Sequence, residues 1–414
     1  MTGNINELSR YSQEDSEKSN LIKKVFREFY PVKEIKYSKS QSFDVNKSME
    51  YSELIYEDIN FDITEKYSKM DSKEVLPGDL KSPQERIRCK YCPECGRRYP
   101  KGENVCMECL VHLKYVTNEI DVYDIQSNPQ FTFKGRNDYE SFEELLDAGN
   151  LLRVNEFDFT IDDYFAVLHE IKSQAFMNFD SLVKENEIDF DELNIVEKII
   201  LFSKSFVKVD YKSSGSQLGY FESGAIFIDD RQTKSLQITT LIHELSHFLI
   251  QEILIHIICK LLDCSRNSFV QSLAAFILSY THFTQLIDEY AAHNVEGRFT
   301  LFGFQDYSSF AQIEQRMDGE MTAEEIEITK SIGNTFALSI KDILESLIDR
   351  QLREDIKEQF LKDVVDRPNY RALEMENCQI LNDEGFIKAI WLILNEGCEI
   401  ASMNIDELIS IREK

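Results

Sequence analysis

The run Thr239-Thr240-Leu241-Ile242-His243-Glu244-Leu245-Ser246-His247-Phe248-Leu249-Ile250 constrains this chain more than any other segment. Leu241, Ile242, Leu245, Phe248 and Leu249 recur with a helical period, so the segment predicts a helix that must be buried. On that helix His243 and His247 lie one turn apart and project from one face. A buried helix tolerates polar side chains only when they are satisfied. One Zn²⁺ satisfies both imidazoles. Histidine is scarce, with 7 in 414 residues, and chance would supply an H-E-x-x-H pattern roughly 0.01 times in such a chain. Glu244 stands beside the first histidine, where it can take a proton from a water on the metal. These three residues point to a metal-dependent hydrolase, most often a peptidase.

Such a site needs a third protein ligand and one open position. A third histidine six residues after the second, with an intervening glycine, is excluded because those positions are Ile253 and Ile250. His256, His282 and His293 remain as downstream histidines. The run Asp288-Glu289-Tyr290-Ala291-Ala292-His293-Asn294-Val295-Glu296 reads as a helix with acids at one end. Ala291 and Ala292 would let it approach the histidine helix closely. Glu289 is the favoured ligand, with its neighbour Asp288 as the alternative. Glu296, seven residues on, shares the face of Glu289 and is a candidate to support a ligand. For stabilising a developing oxyanion the candidates are His256, His282, Tyr280, Tyr290, His293 and Arg298. Tyr290 and His293 have the advantage of lying near Glu289.

The segment before the motif reads as an amphipathic helix over 194–203 and three short strands. The strands are Phe206-Val207-Lys208-Val209-Asp210-Tyr211, Leu218-Gly219-Tyr220-Phe221 and Ala225-Ile226-Phe227-Ile228. They are β-branched or aromatic and are separated by Ser and Gly. An exposed edge strand just before the metal helix would offer an extended peptide a place to pair. In this order of elements, residues 190–300 resemble a compact gluzincin, similar to the minigluzincins and the ImmA/IrrE-type metallopeptidases. The resemblance rests on His243-Glu244-x-x-His247 and on Glu289-Tyr290-Ala291-Ala292 as an E-x-x-A element. It covers about a quarter of the chain. It implies peptide-bond hydrolysis, with His243, His247 and Glu289 as zinc ligands and Glu244 as general base. The long apolar connection from His247 to Glu289 departs from the pattern of that group.

Upstream, Cys92-Pro93-Glu94-Cys95-Gly96 precedes Cys106-Met107-Glu108-Cys109. Two C-x-x-C pairs at this spacing predict a four-thiolate structural zinc site, and the segment resembles a zinc ribbon. Cys89 could replace a member of the first pair, and His112 is a spare ligand by proximity. Lys81, Arg86, Arg88, Lys90, Arg97, Arg98 and Lys101 make the ribbon locally basic. The whole chain carries a net charge of −28, which argues against broad nucleic-acid or anionic-membrane binding. Proteases of the SprT kind also join H-E-x-x-H to a ribbon and act on nucleic-acid-bound proteins, but their ribbon follows the motif. A zinc-binding scaffold or regulator without hydrolytic activity is the other alternative.

The expected fold class is α+β: mostly helical, with a small three-stranded sheet beside the H-E-x-x-H helix, preceded by a zinc ribbon. Residues 1–85 read as a polar, poorly ordered region and 86–115 as the ribbon. Residues 116–185 read as a connector with helices near 141–146 and over 162–186. Residues 186–310 form the peptidase-like core and 311–414 a helical region, with helices over 323–332, 340–365 and 384–394. Five of nine cysteines crowd the ribbon. Cys259, Cys264, Cys378 and Cys398 read as buried thiols, in keeping with a reducing interior. No signal-peptide pattern opens the chain. The charge-free run 267–287 is too polar for a lipid-facing span and reads as one buried helix. The expectation is a cytoplasmic protein with two zinc ions, one catalytic and one structural, and a protein or peptide substrate. Oligomeric state is not legible.

Overall fold

Short polar side chains set just before apolar periodic runs start most of the helices. Thr160 and Asp163 form a capping box at the head of one helix, Asn194 and Glu197 at another, and Thr322 and Glu325 at a third. In each box the cap oxygen and the acid three residues on satisfy backbone N–H groups that no helical turn can reach. The computed structural model describes residues 104–107, 109–115, 122, 124–154, 159–211, 219–222, 224–229, 232–300, 313, 322–364 and 380–413, with strand pieces at 41–42, 89–91, 98–100 and 371–372.

From residue 142 onward the described elements are α1 (Phe142–Val154), α2 (Ile161–Glu185) and α3 (Ile195–Phe206). Three strands follow, β1 (Lys208–Tyr211), β2 (Gly219–Glu222) and β3 (Ala225–Ile228). Then come α4 (Lys234–Leu262), α5 (Ser268–Tyr280), α6 (His282–Phe299), α7 (Ala323–Glu345), α8 (Arg350–Val364), α9 (Asp383–Met403) and α10 (Ile405–Glu413). The protein is α+β and mostly helical, with one small three-stranded sheet against α4.

The helix α4 is apolar on nearly every side, and it is buried on nearly every side. Leu241, Ile242, Leu249, Ile250, Ile253 and Ile255 are each fully enclosed. Among the described residues α4 is also the one helix long and apolar enough to cross a membrane, although most of that stretch is enclosed by the rest of the protein. The run 267–287, expected to be a single helix, is instead two. Thr281 ends α5 and caps α6, accepting a hydrogen bond from the Thr284 amide.

The strand order in the sheet is β1-β3-β2, with β1 parallel and β2 antiparallel to β3. The strand just before the H-E-x-x-H helix is therefore central. The edge that lies on α4 is β2. Gly219 lets it approach so closely, since a Cβ there would sit 2.4 Å from the Thr240 methyl and 2.7 Å from the Phe227 carbonyl oxygen. Phe221 meets Phe248 edge-on at 5.9 Å and joins the sheet to α4.

Gly333 gives a second correction. A break is expected near it, yet α7 runs unbroken from 323 to 345 and the chain turns at 346–349. The glycine is there for packing. A Cβ at 333 would lie 2.9 Å from the Ile287 carbonyl oxygen and 3.3 Å from the Ala291 amide nitrogen. The close approach expected from Ala291 is thus made at least in part by α7 against α6. Gly333→Val should cost about 1–3 kcal/mol through overpacking. Urea denaturation should show a lower midpoint with an unchanged slope.

In the segment expected to be a ribbon, Cys89–Tyr91 pairs with Arg98–Pro100 and with Lys114–Tyr115. The Cys109 amide donates to Cys106 Sγ at 3.4 Å, and Cys106 is buried. Cys92 and Cys95 lie outside the described residues, as does Cys378. His112 is exposed and bridges to Val105 through the backbone. Downstream, the buried Lys204 ammonium donates to the Val122 and Ile125 carbonyls at 2.6 and 2.7 Å, pinning this stretch to α3.

Candidate metal centre

The helix α4 presents His243 and His247 toward α6. Their Nε2 atoms are 3.1 Å apart. Glu289 Oε2 lies 3.7 Å from His243 Nε2. Ligands at 2.0–2.1 Å in a tetrahedral zinc site are separated by about 3.3 Å, so this spacing suits one shared ion. The described residues contain two groups able to hold a metal, His243/His247/Glu289 and His243/His293/Glu296, with ligand atoms within 4.8 Å of one another in each.

Asp288 and Glu289 lie not at a solvated helix start but in the middle of α6, and neither is fully exposed. Adjacent helical positions diverge by about 100°, so the two acids reach different atoms. Glu289 faces His243 Nε2, whereas Asp288 Oδ2 lies 2.9 Å from His247 Nδ1. Glu296 Oε2 is 3.3 Å from His243 Nδ1 and also 3.3 Å from His293 Nδ1. Each motif histidine therefore has a carboxylate beside Nδ1, hydrogen-bonded at His243 and in ion-pair range at His247, which leaves the Nε2 atoms facing the common point. The H-E-x-x-H and E-x-x-A spacings give no hint of the role of Asp288. The i to i+7 spacing did point to Glu296.

Four carboxylates, Glu244, Asp288, Glu289 and Glu296, surround these imidazoles, and the field favours positive charge. Burial opposes charging His243, yet the carboxylate of Glu296 holds its pKa above the ordinary value. Burial likewise opposes His247, but Asp288, Glu289 and Glu244 raise it to about 10. Burial lifts Glu244 above the usual carboxylate range, against the pull of the two histidines. Glu296 is held low despite its burial by hydrogen bonds from His243 and His293. His293 is lowered by burial and by neighbouring His243. Asp288 Oδ1 and Glu296 Oε1 are buried with no hydrogen-bond partner among the described residues. A divalent cation would offset this concentration of negative charge.

Of the other candidates, His293 joins the cluster, with Nε2 3.8 Å from Glu289. The Tyr290 ring lies against Gly333 of α7. Arg298 is buried and donates to Asn334 Oδ1 at 2.9 Å. Tyr280 stacks on Phe276, and His282 is exposed at the start of α6. His256 is fully buried elsewhere on α4, between Glu170 at 3.7 Å and Glu252 at 3.8 Å. No protein-family model, curated protein or solved structure matches this chain.

Proposed function

We propose that this chain is a zinc-dependent peptidase of the compact gluzincin kind, with His243, His247 and Glu289 as ligands and Glu244 as general base. The observation that carries the reading is the convergence of His243, His247 and Glu289, whose ligand atoms lie within 4.8 Å of one another, with His243 Nε2 3.1 Å from His247 Nε2 and 3.7 Å from Glu289 Oε2. The donor set of two imidazoles and one carboxylate suits zinc and leaves a fourth position open. When bound, the ion would supply a Lewis acid and bring the pKa of a coordinated water to about 7.

The chain's own residues have separable tasks. Glu244 accepts the proton of the attacking water and hands it to the leaving amine. Burial raises its affinity for that proton, and the Phe221 N–H holds its carboxylate at the edge of β2. Asp288 and Glu296 fix the rings of His247 and His243. His293 stands beside Glu289 as a donor to charge developing on the scissile carbonyl oxygen. The edge strand β2 is where an extended peptide would pair. Upstream, Cys92, Cys95, Cys106 and Cys109 would close a second, structural zinc site. The amide hydrogen bond onto Cys106 Sγ supports that assignment.

Elemental mass spectrometry tests the reading. Wild type should hold about two zinc ions per chain, one per four-coordinate site. His243→Ala/His247→Ala and Glu289→Ala should each hold about one. A folded double variant with wild-type zinc content would remove the peptidase reading. If Glu289→Ala alone kept both ions, Glu289 would not be the third ligand.

A further inference from the structure

The C-terminal end of α4 is closed by a motif that the metal site does not use. Asp263 adopts the left-handed conformation, with φ 45° and ψ 46°. The Cys264 amide donates to the Cys259 carbonyl at 3.0 Å and the Asp263 amide to the Lys260 carbonyl at 3.4 Å. These are the 6→1 and 5→2 bonds of a Schellman cap. Such caps commonly bring an apolar contact between the two residues joined by the longer bond. Here both residues are cysteine, both are fully buried, and the 3.0 Å backbone bond between them holds them side by side.

We propose that Cys259 and Cys264 form an oxidation site, a dithiol that closes to an intramolecular disulfide across the cap of α4 when hydrogen peroxide reaches it. The geometry allows the bond. With N and O 3.0 Å apart, covalent dimensions limit the α-carbon separation to about 6.9 Å, and the bend of the cap shortens it. Disulfides span about 4.4–6.8 Å.

The pair is also unequal. The hydrogen bond from Cys259 holds the Cys264 thiol below its usual pKa, whereas that same contact and burial push Cys259 up. Thiolate, not thiol, attacks peroxide, so Cys264 reacts first. Its sulfur attacks one peroxide oxygen, the O–O bond breaks, and Cys264 becomes a sulfenic acid as hydroxide departs. Cys259 sulfur then attacks the Cys264 sulfur. The S–O bond breaks, and the expelled hydroxyl leaves as water with the Cys259 proton. Two thiols lose two electrons and one peroxide becomes two waters.

The segment over the pair is held by backbone bonds from the Asn137 amide to Asp263 and from the Ser265 amide to Asn137, at 2.9 and 3.0 Å. A small oxidant is therefore better suited than a bulky disulfide.

Peptide mapping of the full chain tests this. The protein is exposed to hydrogen peroxide, denatured, alkylated and digested with trypsin without reduction. Lys260 lies between the two cysteines, so cleavage leaves them on peptides 235–260 and 261–266. The expected product is these two peptides joined, separating on reduction, and absent from Cys264→Ser. Exposed Met403 serves as the internal measure of dose. Recovery of both peptides singly alkylated after Met403 has become sulfoxide would overturn the proposal. So would Cys264 found as sulfinic acid, or either cysteine joined to a different one.

Discussion

Glu244→Gln should keep the wild-type zinc content and lower hydrolysis of fluorescent casein by about 10²–10⁴-fold, the usual contribution of general acid–base catalysis. The substitution preserves shape, and the Gln carbonyl oxygen can still accept from the Phe221 amide that now meets the Glu244 carboxylate. It removes only the ability to take up and release a proton. Zinc measured on the same sample separates this from loss of the ion. A variant that keeps both its zinc and its rate would show that Glu244 is not the base. A wild-type chain with two zinc ions and no peptidase activity toward casein or toward peptides that pair with β2 would favour a scaffold role.

The parts of the fold that depend on local chemistry were legible. The boundaries of β3 follow from a short β-branched and aromatic run set off by Ser and Gly, and the course of α2 from apolar residues at helical spacing, signals that act within a few positions. The gap expected between helices 323–332 and 340–365 is absent, because Gly333 serves a neighbour on another helix: the space its missing side chain leaves is filled by the backbone of α6. The candidate metal site divides in the same way. His243, Glu244 and His247 share one turn of one helix, so their juxtaposition follows from periodicity alone. Whether Asp288 or Glu289 meets His243 Nε2 depends on how α6 is rotated against α4, which adjacent acids cannot reveal. Glu296 was accessible through its seven-residue spacing. Its second contact, to His293, belongs to the details of side-chain packing. Cys259 and Cys264 were recognisable as buried thiols, but their meeting depends on the left-handed turn at Asp263, an unusual backbone for a residue other than glycine.

The largest stability effect is expected far from the candidate metal centre, at Arg266→Met. The Arg266 guanidinium grips the Glu252 carboxylate with both terminal nitrogens, one of them at 2.7 Å, and Glu252 is almost wholly enclosed within α4. Removing the cation leaves a buried carboxylate facing apolar helices, a change that costs about 3–5 kcal/mol in comparable pairs. The charge, more than the lost contact, sets this figure, because replacing both partners with apolar groups of similar size is often neutral. Arg266→Met/Glu252→Met should therefore recover most of the loss, and urea denaturation of the four proteins in the cycle would measure it. His256 provides the competing outcome. Its two ring nitrogens are buried without hydrogen bonds, one of them 3.8 Å from Glu252. If Arg266→Met costs less than about 1 kcal/mol, well below the range for an unpaired buried charge, the imidazole has moved to take up Glu252. His256→Leu added to Arg266→Met would then restore the full penalty, while an unchanged stability would exclude both accounts of how this carboxylate is held.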